Sequence, residues 1–193
     1  MHWRRYTWVH PHMRDTPSQT FTGRLLGAAT LNRATYEAVE ADSGATGQAA
    51  AVVILAAVAA SVGEWGESSL AAIAIRVVIG VVSWATWASV IAQVGGRLLP
   101  EAETRVSWPE LLRTLGFGAA PGLLLMLAGA PVVGAAIAWA VWFWMFAAMV
   151  VAVRQALDFQ GTGRALLVCL IGAIIGLAVA FALSSLTATV VAR

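Results

Sequence analysis

Lysine is missing from this chain, and all 12 of its cationic side chains are arginine. That bias reads as GC-rich codon usage rather than mechanism. Charge as a whole is scarce, at 11% of residues against about 25% in an ordinary soluble domain. The net charge of +2 and the lack of a basic stripe with interleaved aromatics argue against nucleic acid as a partner. There is one cysteine, Cys169, so no internal disulfide can form. It reads as a small apolar core residue. The three histidines, His2, His10 and His12, all lie in the first twelve residues. No carboxylate or cysteine stands beside them, so they make no metal site. No HExxH, no Ser-His-Asp arrangement and no phosphate-cradling loop is present. Gly161-Thr162-Gly163 reads as a turn and helix cap. These absences lead us to expect no catalysis, no cofactor and no metal.

What is abundant is apolar sequence. Thr114 to Val153 is a stretch of forty residues without a charge. At ~1.5 Å per helical residue it would run ~60 Å, twice the ~30 Å hydrocarbon core of a bilayer. Two back-to-back crossings, turning near Gly129-Ala130-Pro131, use that length. With 60% hydrophobic residues, a chain of this size has too little core to hide its apolar surface, so lipid must cover the excess. The expected fold is all-α, a polytopic membrane protein with five transmembrane helices at about 46–63, 69–94, 111–129, 132–153 and 165–191. Most of the nine tryptophans fall near the ends of these spans, as interfacial belts would place them.

Residues 1–18 read as a disordered or mis-assigned start, with Met13 as an alternative first residue. Arg4 and Arg5 are not followed by the apolar core of a signal peptide. Residues 19–45 form a cytosolic amphipathic segment that could lie on the membrane surface. Phe21, Leu25, Leu26 and Ala29 share one helical face. Asn32 caps a second short helix through Tyr36, Glu37, Val39 and Glu40, and Asp42-Ser43-Gly44 ends it. Residues 46–193 are the transmembrane domain.

Arginine sets the orientation. Arg14, Arg24 and Arg33 precede the first span. The 64–68 loop holds Glu64 and Glu67 and no arginine. Arg97 and Arg105, with Arg113 at the edge, mark the 95–110 loop. The 129–131 turn is uncharged, and Arg154 and Arg164 mark the 154–164 loop. The alternation predicts a cytoplasmic N-terminus and an outside C-terminus in the cytoplasmic membrane. No internal repeat is visible, and five spans do not suit an inverted-repeat transporter.

Two stretches carry a family likeness. The first is Ala34-Thr35-Tyr36-Glu37-Ala38-Val39-Glu40-Ala41-Asp42, followed by Ala45-Thr46-Gly47-Gln48-Ala49. The second is Glu110-Leu111-Leu112-Arg113-Thr114-Leu115-Gly116-Phe117, resuming at Val153-Arg154-Gln155-Ala156-Leu157-Asp158-Phe159 and ending Thr162-Gly163-Arg164-Ala165. Together they resemble the prokaryotic branch of the Yip family, over roughly residues 20–190. The resemblance implies five transmembrane helices with a cytosolic N-terminus. Eukaryotic members bind Rab-type GTPases and act in vesicle trafficking. Their Asp-Leu-Tyr-Gly-Pro-type motif is not found here, so the likeness does not carry GTPase binding to this chain.

Four candidate positions or groups follow. Arg76 lies about seven residues into the second span. A charge at such depth is a functional-site hypothesis by default, set against snorkelling or pairing with Glu64 or Glu67. In the third span Pro121 removes a backbone donor beside Gly116, Gly118 and Gly122. A broken helix there either lines a small cavity or lets helices pack closely, as Gly118-xxx-Gly122 and Gly172-xxx-Gly176 would. Arg113, Arg154, Asp158 and Arg164 should meet on the cytoplasmic face, with Arg154 and Asp158 pairing if the helix continues that far and Glu110 reaching Arg113 or Arg164. That group reads as a structural clamp or as a docking surface for a protein or anionic headgroups. Glu37, Glu40 and Asp42 read as a solvated helix face.

The expected function is that of a non-enzymatic membrane-organising protein or adaptor. Its expected partners are membrane lipid and a protein at the cytoplasmic face, with a homo-oligomer left open. The alternative is a transporter of a small solute, ion or lipid, using a cavity at the broken third helix.

Overall fold

Small residues spaced three and four apart along the first apolar helix organise the bundle. In the computed structural model, which describes residues 20–63 and 69–191, that helix is Ala45–Gly63. Two short helices precede it, α1 (Phe21–Ala29) and α2 (Arg33–Ala41), so it is α3. There follow α4 (Leu70–Gln93), closing in a π turn Val94–Leu98, and α5 (Trp108–Gly118), which passes into a 3-10 segment Ala120–Leu127. The chain then forms α6 (Gly134–Ala156) and α7 (Thr162–Val191). No strand occurs among the described residues. Residues 1–18 and the 64–68 loop lie outside the described residues.

Among the described residues, four helices are long and apolar enough to cross a membrane: Ala45–Gly63, Leu70–Leu98, Trp108–Leu127 and Gly134–Ala156. α7 runs thirty residues, Thr162–Val191, and is apolar over Thr162–Gly176, the part of it whose side chains are described. Between hydrocarbon and protein there is no hydrophobic gain, so close van der Waals fit must hold the helices together. Ala45, Ala49, Val52, Ala56, Ala59 and Gly63 are the buried stripe of α3, and α3 lies against α5 and the 3-10 segment. A Cβ on Gly116 would stand 2.7 Å from Ala49 Cβ, and one on Gly122 would stand 3.1 Å from Ala56 Cβ.

The third apolar run breaks as its composition suggests. Pro121 has no N–H and its ring opposes the carbonyl of the preceding turn. The α-helix therefore ends at Gly118, and Gly122 N–H bonds Ala119 O at 2.9 Å in the tighter 3-10 pattern. The change lengthens the rod. Eleven residues of α5 rise about 16 Å, and eight 3-10 residues at about 2.0 Å each add about 16 Å more. Twenty residues thus match a ~30 Å hydrocarbon layer.

α1 and α2 form a hairpin. Thr20 and Asn32 cap the two helices, Asn32 Oδ1 accepting from Ala34 N–H at 3.0 Å as its position foretold. Leu31 (φ 60°) ends α1 with Asn32 N–H on Gly27 O and Leu31 N–H on Ala28 O, a Schellman arrangement. The hairpin does not simply rest on a surface. It packs against α5, α6 and the 3-10 segment, with Phe21 and Phe117 rings 6.4 Å apart and Trp144 Nε1–H bonding Ala29 O at 2.7 Å. α5 is consequently surrounded by α1, α2, α3, α4 and α6, and Leu111 to Ala120 are all buried.

Four of the described tryptophans depart from the interfacial pattern. Trp108 opens α5, but Trp84 and Trp87 lie well inside α4, and Trp142 and Trp144 lie mid-way along α6. The indoles of Trp84, Trp87 and Trp144 serve helix contacts instead. Trp84 Nε1–H bonds Leu112 O at 3.1 Å, and the Trp87 ring edge meets the Gly172 position, 3.1 Å from where a Cβ would stand.

Candidate functional site

Two places in the bundle gather the residues that the sequence singles out. The first is the end that carries Arg113, Arg154 and Arg164. Arg113, on α5, is 6% exposed. Its Nε donates to Val39 O at 3.2 Å and to Glu40 O at 3.1 Å, and its Nη2 also donates to Glu40 O. The guanidinium thereby satisfies the last carbonyls of α2, which a helix end leaves open. Arg24, also buried, forms an ion pair with Asp42 Oδ2 at 2.6 Å and donates to Gln48 Oε1 at 3.0 Å. The Arg24 hydrogen bond, helped by Gly44 N–H, holds the Asp42 carboxyl below its usual range.

Glu40 is the electrostatic anomaly. Its carboxyl is pushed up from 4.5 to about 7, first by half-burial, then by the charges of Asp158, Glu110 and Glu37; Arg113 opposes the shift. Three other carboxylates, on α2, α5 and the loop after α6, thus act on Glu40 against one buried guanidinium. Glu37 also accepts from Gln155 Nε2 at 2.9 Å, tying α2 to α6. Tyr36 Oη donates to Ala28 O at 3.1 Å inside the hairpin, and burial raises its pKa well above 10.0.

Asp158 does not pair with Arg154. The helix stops first: Asp158 takes φ 52°, with Phe159 N–H on Arg154 O and Asp158 N–H on Gln155 O. This is a second Schellman end, and it turns Asp158 off the α6 surface. Arg154 instead donates to Phe159 O (3.2 Å), Gln160 O (2.9 Å) and Thr162 Oγ1 (3.3 Å), so it shapes the α6–α7 loop. Nor does Glu110 reach Arg113 or Arg164 in an ion pair. Arg164 pairs with Glu101 Oε1 at 3.0 Å and donates to Pro100 O at 2.6 Å. Gln160 N–H bonds Glu101 Oε2 at 2.8 Å and its Nε2 bonds Glu103 Oε2 at 3.2 Å. The four predicted residues share one end of the bundle but form separate clamps. Between the 101–105 loop and Asp158 lies an open polar recess of about 730 Å³, lined also by Glu103 and Arg105.

The second place is the broken third span. Gly116 and Gly122 face α3 and are packed tight. Gly118 lies against Met149, whose sulfur would stand 3.2 Å from an added Cβ. Pro121 is buried. The glycine side of the break is therefore a close-packing seam. A cavity of about 500 Å³ exists beside it, with walls from α3, α4 and α6 and a floor of Leu115, Ala119 and Leu125. Its lining carries no charged or amide side chain; Ser83 supplies the single hydroxyl. Trp87 Nε1, in its wall, is the buried side-chain donor without an acceptor among the described residues. Arg76 is exposed on α4, outside this cavity.

Sequence reasoning missed Arg24, Glu101, Gln160 and the midspan tryptophans. Glu40, read as a solvated face, is half-buried. The Arg24–Asp42 pair had one available signal, an arginine inside an otherwise apolar helical face. The others join segments far apart in sequence and left none.

Taken together, these features define an all-helical protein with several helices fit to cross a membrane and a bonded polar cap on one end. No group of His, Cys, Asp and Glu suited to a metal ion occurs among the described residues. No family model matches the chain, and no curated protein or solved structure matches it either.

Proposed function

We propose that this chain is a five-crossing integral membrane protein of the Yip type, with its N-terminus in the cytoplasm and its C-terminus outside. In this reading it sits in a bacterial inner membrane and acts without catalysis, as a membrane-organising protein or adaptor. Its cytoplasmic face is the capped end, where the α1–α2 hairpin is fastened to α5 and α6 and the 99–105 loop to the α6–α7 loop. The observation that carries the reading is the Arg113 contact with α2. It fixes the N-terminal hairpin to the most buried helix, giving a partner a shaped polar surface with the exposed Glu103, Arg105 and Asp158 at its recess.

Transport of an aqueous solute draws less support. The break in the third span is filled by α3, and the neighbouring cavity lacks the polar groups that would solvate an ion. The test is thiol accessibility in a Cys169→Ala background. Single cysteines along 114–124 are expected to resist a membrane-impermeant thiol reagent. Cysteines at 103, 105 and 158 are expected to react only from the cytoplasmic side. Labelling within 114–124, labelling of 103 from outside, or ion flux in proteoliposomes would overturn the proposal.

A further inference from the structure

The cavity between α3, α4 and α6 is placed where only hydrocarbon is abundant. Its wall residues include Ala56 and Ala60 of α3, Ser83 and Trp87 of α4, and Met145 and Met149 of α6. Apart from Ala60, in the last turn of α3, these residues fall within the interior of their helices. The volume of about 500 Å³ lies in the range of sites that hold small ligands, roughly 300–1,000 Å³.

Water is a poor filler. It needs two to four polar partners, and for some 500 Å³ the wall offers the Ser83 hydroxyl and the unpartnered Trp87 N–H, the Trp84 N–H being already bonded to Leu112 O. Vacancy is also unfavourable, because an unfilled cavity forfeits the dispersion contacts of its whole lining. A headgroup finds no charge or amide to bind. Methionine and alanine walls suit a flexible chain of methylenes, since methionine adapts to irregular apolar shapes.

We propose that this cavity holds one acyl chain of a membrane phospholipid. The inference rests on the reading that α3, α4 and α6 cross the bilayer. The bound chain fills the space that α5 and its 3-10 segment leave between the walls. It makes one lipid an integral packing element, distinct from the lipid that merely surrounds the bundle.

The full chain is placed in phosphatidylcholine vesicles containing a phosphatidylcholine with a diazirine near the end of one acyl chain. Irradiation in vesicles should label both the cavity residues Trp87, Met145 and Met149 and the exposed positions Val78, Ile79 and Phe143. After exchange into a mild detergent before irradiation, the cavity adducts should remain and the exposed-face adducts should be lost. Ala60→Phe and, separately, Ser83→Phe fill the cavity; each should abolish the retained adducts while leaving Val78 and Phe143 labelled in vesicles. The proposal is overturned if the wild-type chain retains no cavity adduct, or if the adducts survive both substitutions. Absence of label on Val78, Ile79 and Phe143 in vesicles would sink the membrane reading itself.

Discussion

α4 and the α5–3-10 rod are both apolar, both long enough to span a bilayer, and opposite in their surroundings. In the most apolar window of Leu70–Leu98 no residue is buried; in that of Trp108–Leu127, 72% are. α4 exposes Leu70, Ile75, Val78, Ile79 and Val82, large side chains that suit a hydrocarbon neighbour. The rod is buried throughout from Leu111 to Gly122, and carries glycine where α3 approaches. The comparison teaches that hydropathy says whether a helix tolerates lipid, and not whether it meets any. What separates the two is side-chain size at the contact. Small residues let backbones approach, and large ones keep them apart.

The contrast can be broken most forcefully at the seam. Gly116→Leu puts a side chain into Ala49, and should destabilise the fold by about 3 kcal/mol, read as a fall in melting temperature in detergent. Next comes the guanidinium at the rod's capped end. Arg113→Met leaves the Val39 and Glu40 carbonyls without their donor and should cost about 2 kcal/mol. Faster amide exchange across Arg33–Ala41 would report it, and Arg113→Lys should restore little, because an ammonium cannot reproduce the fork.

A smaller effect is expected from pH. With Glu40 raised from 4.5 to about 7, the docked hairpin binds this proton more tightly than the undocked one. The contribution is therefore complete below 4.5 and is lost as pH rises through about 7. Amide protection of α2 should decline from pH 5 to pH 8, and Glu40→Gln should flatten that profile. At the far end of the scale, Val78→Ala on α4 should change stability by less than about 0.5 kcal/mol. A large loss there would mean that α4 meets protein instead of lipid.

Much of this architecture was legible in the sequence. The apolar runs fall where the helices are, within a few residues. Pro121 with its glycines foretold the break, and Asn32 the start of α2. The capping hairpin was not legible as a docked element. Arg113 reaches carbonyls 73 and 74 positions away, and Trp144 reaches one 115 positions away; periodicity within a helix carries no trace of such contacts. The expected Arg154–Asp158 pair failed for a local reason. Aspartate enters the left-handed region without glycine's clear signature, so a chain reversal was mistaken for one more helical turn. Tryptophan misled because an indole serves a helix contact as well as an interface.

Arg113 grips α2 through main-chain oxygens, and every amino acid supplies those. Val39 is itself buried, but substitutions on the exposed side of α2, as at Glu37, can alter charge or bulk while the handhold stays in place. A hairpin fastened in this way is free to vary its outward chemistry, so its outer surface can be rewritten for a new binding companion without being cast loose from the bundle.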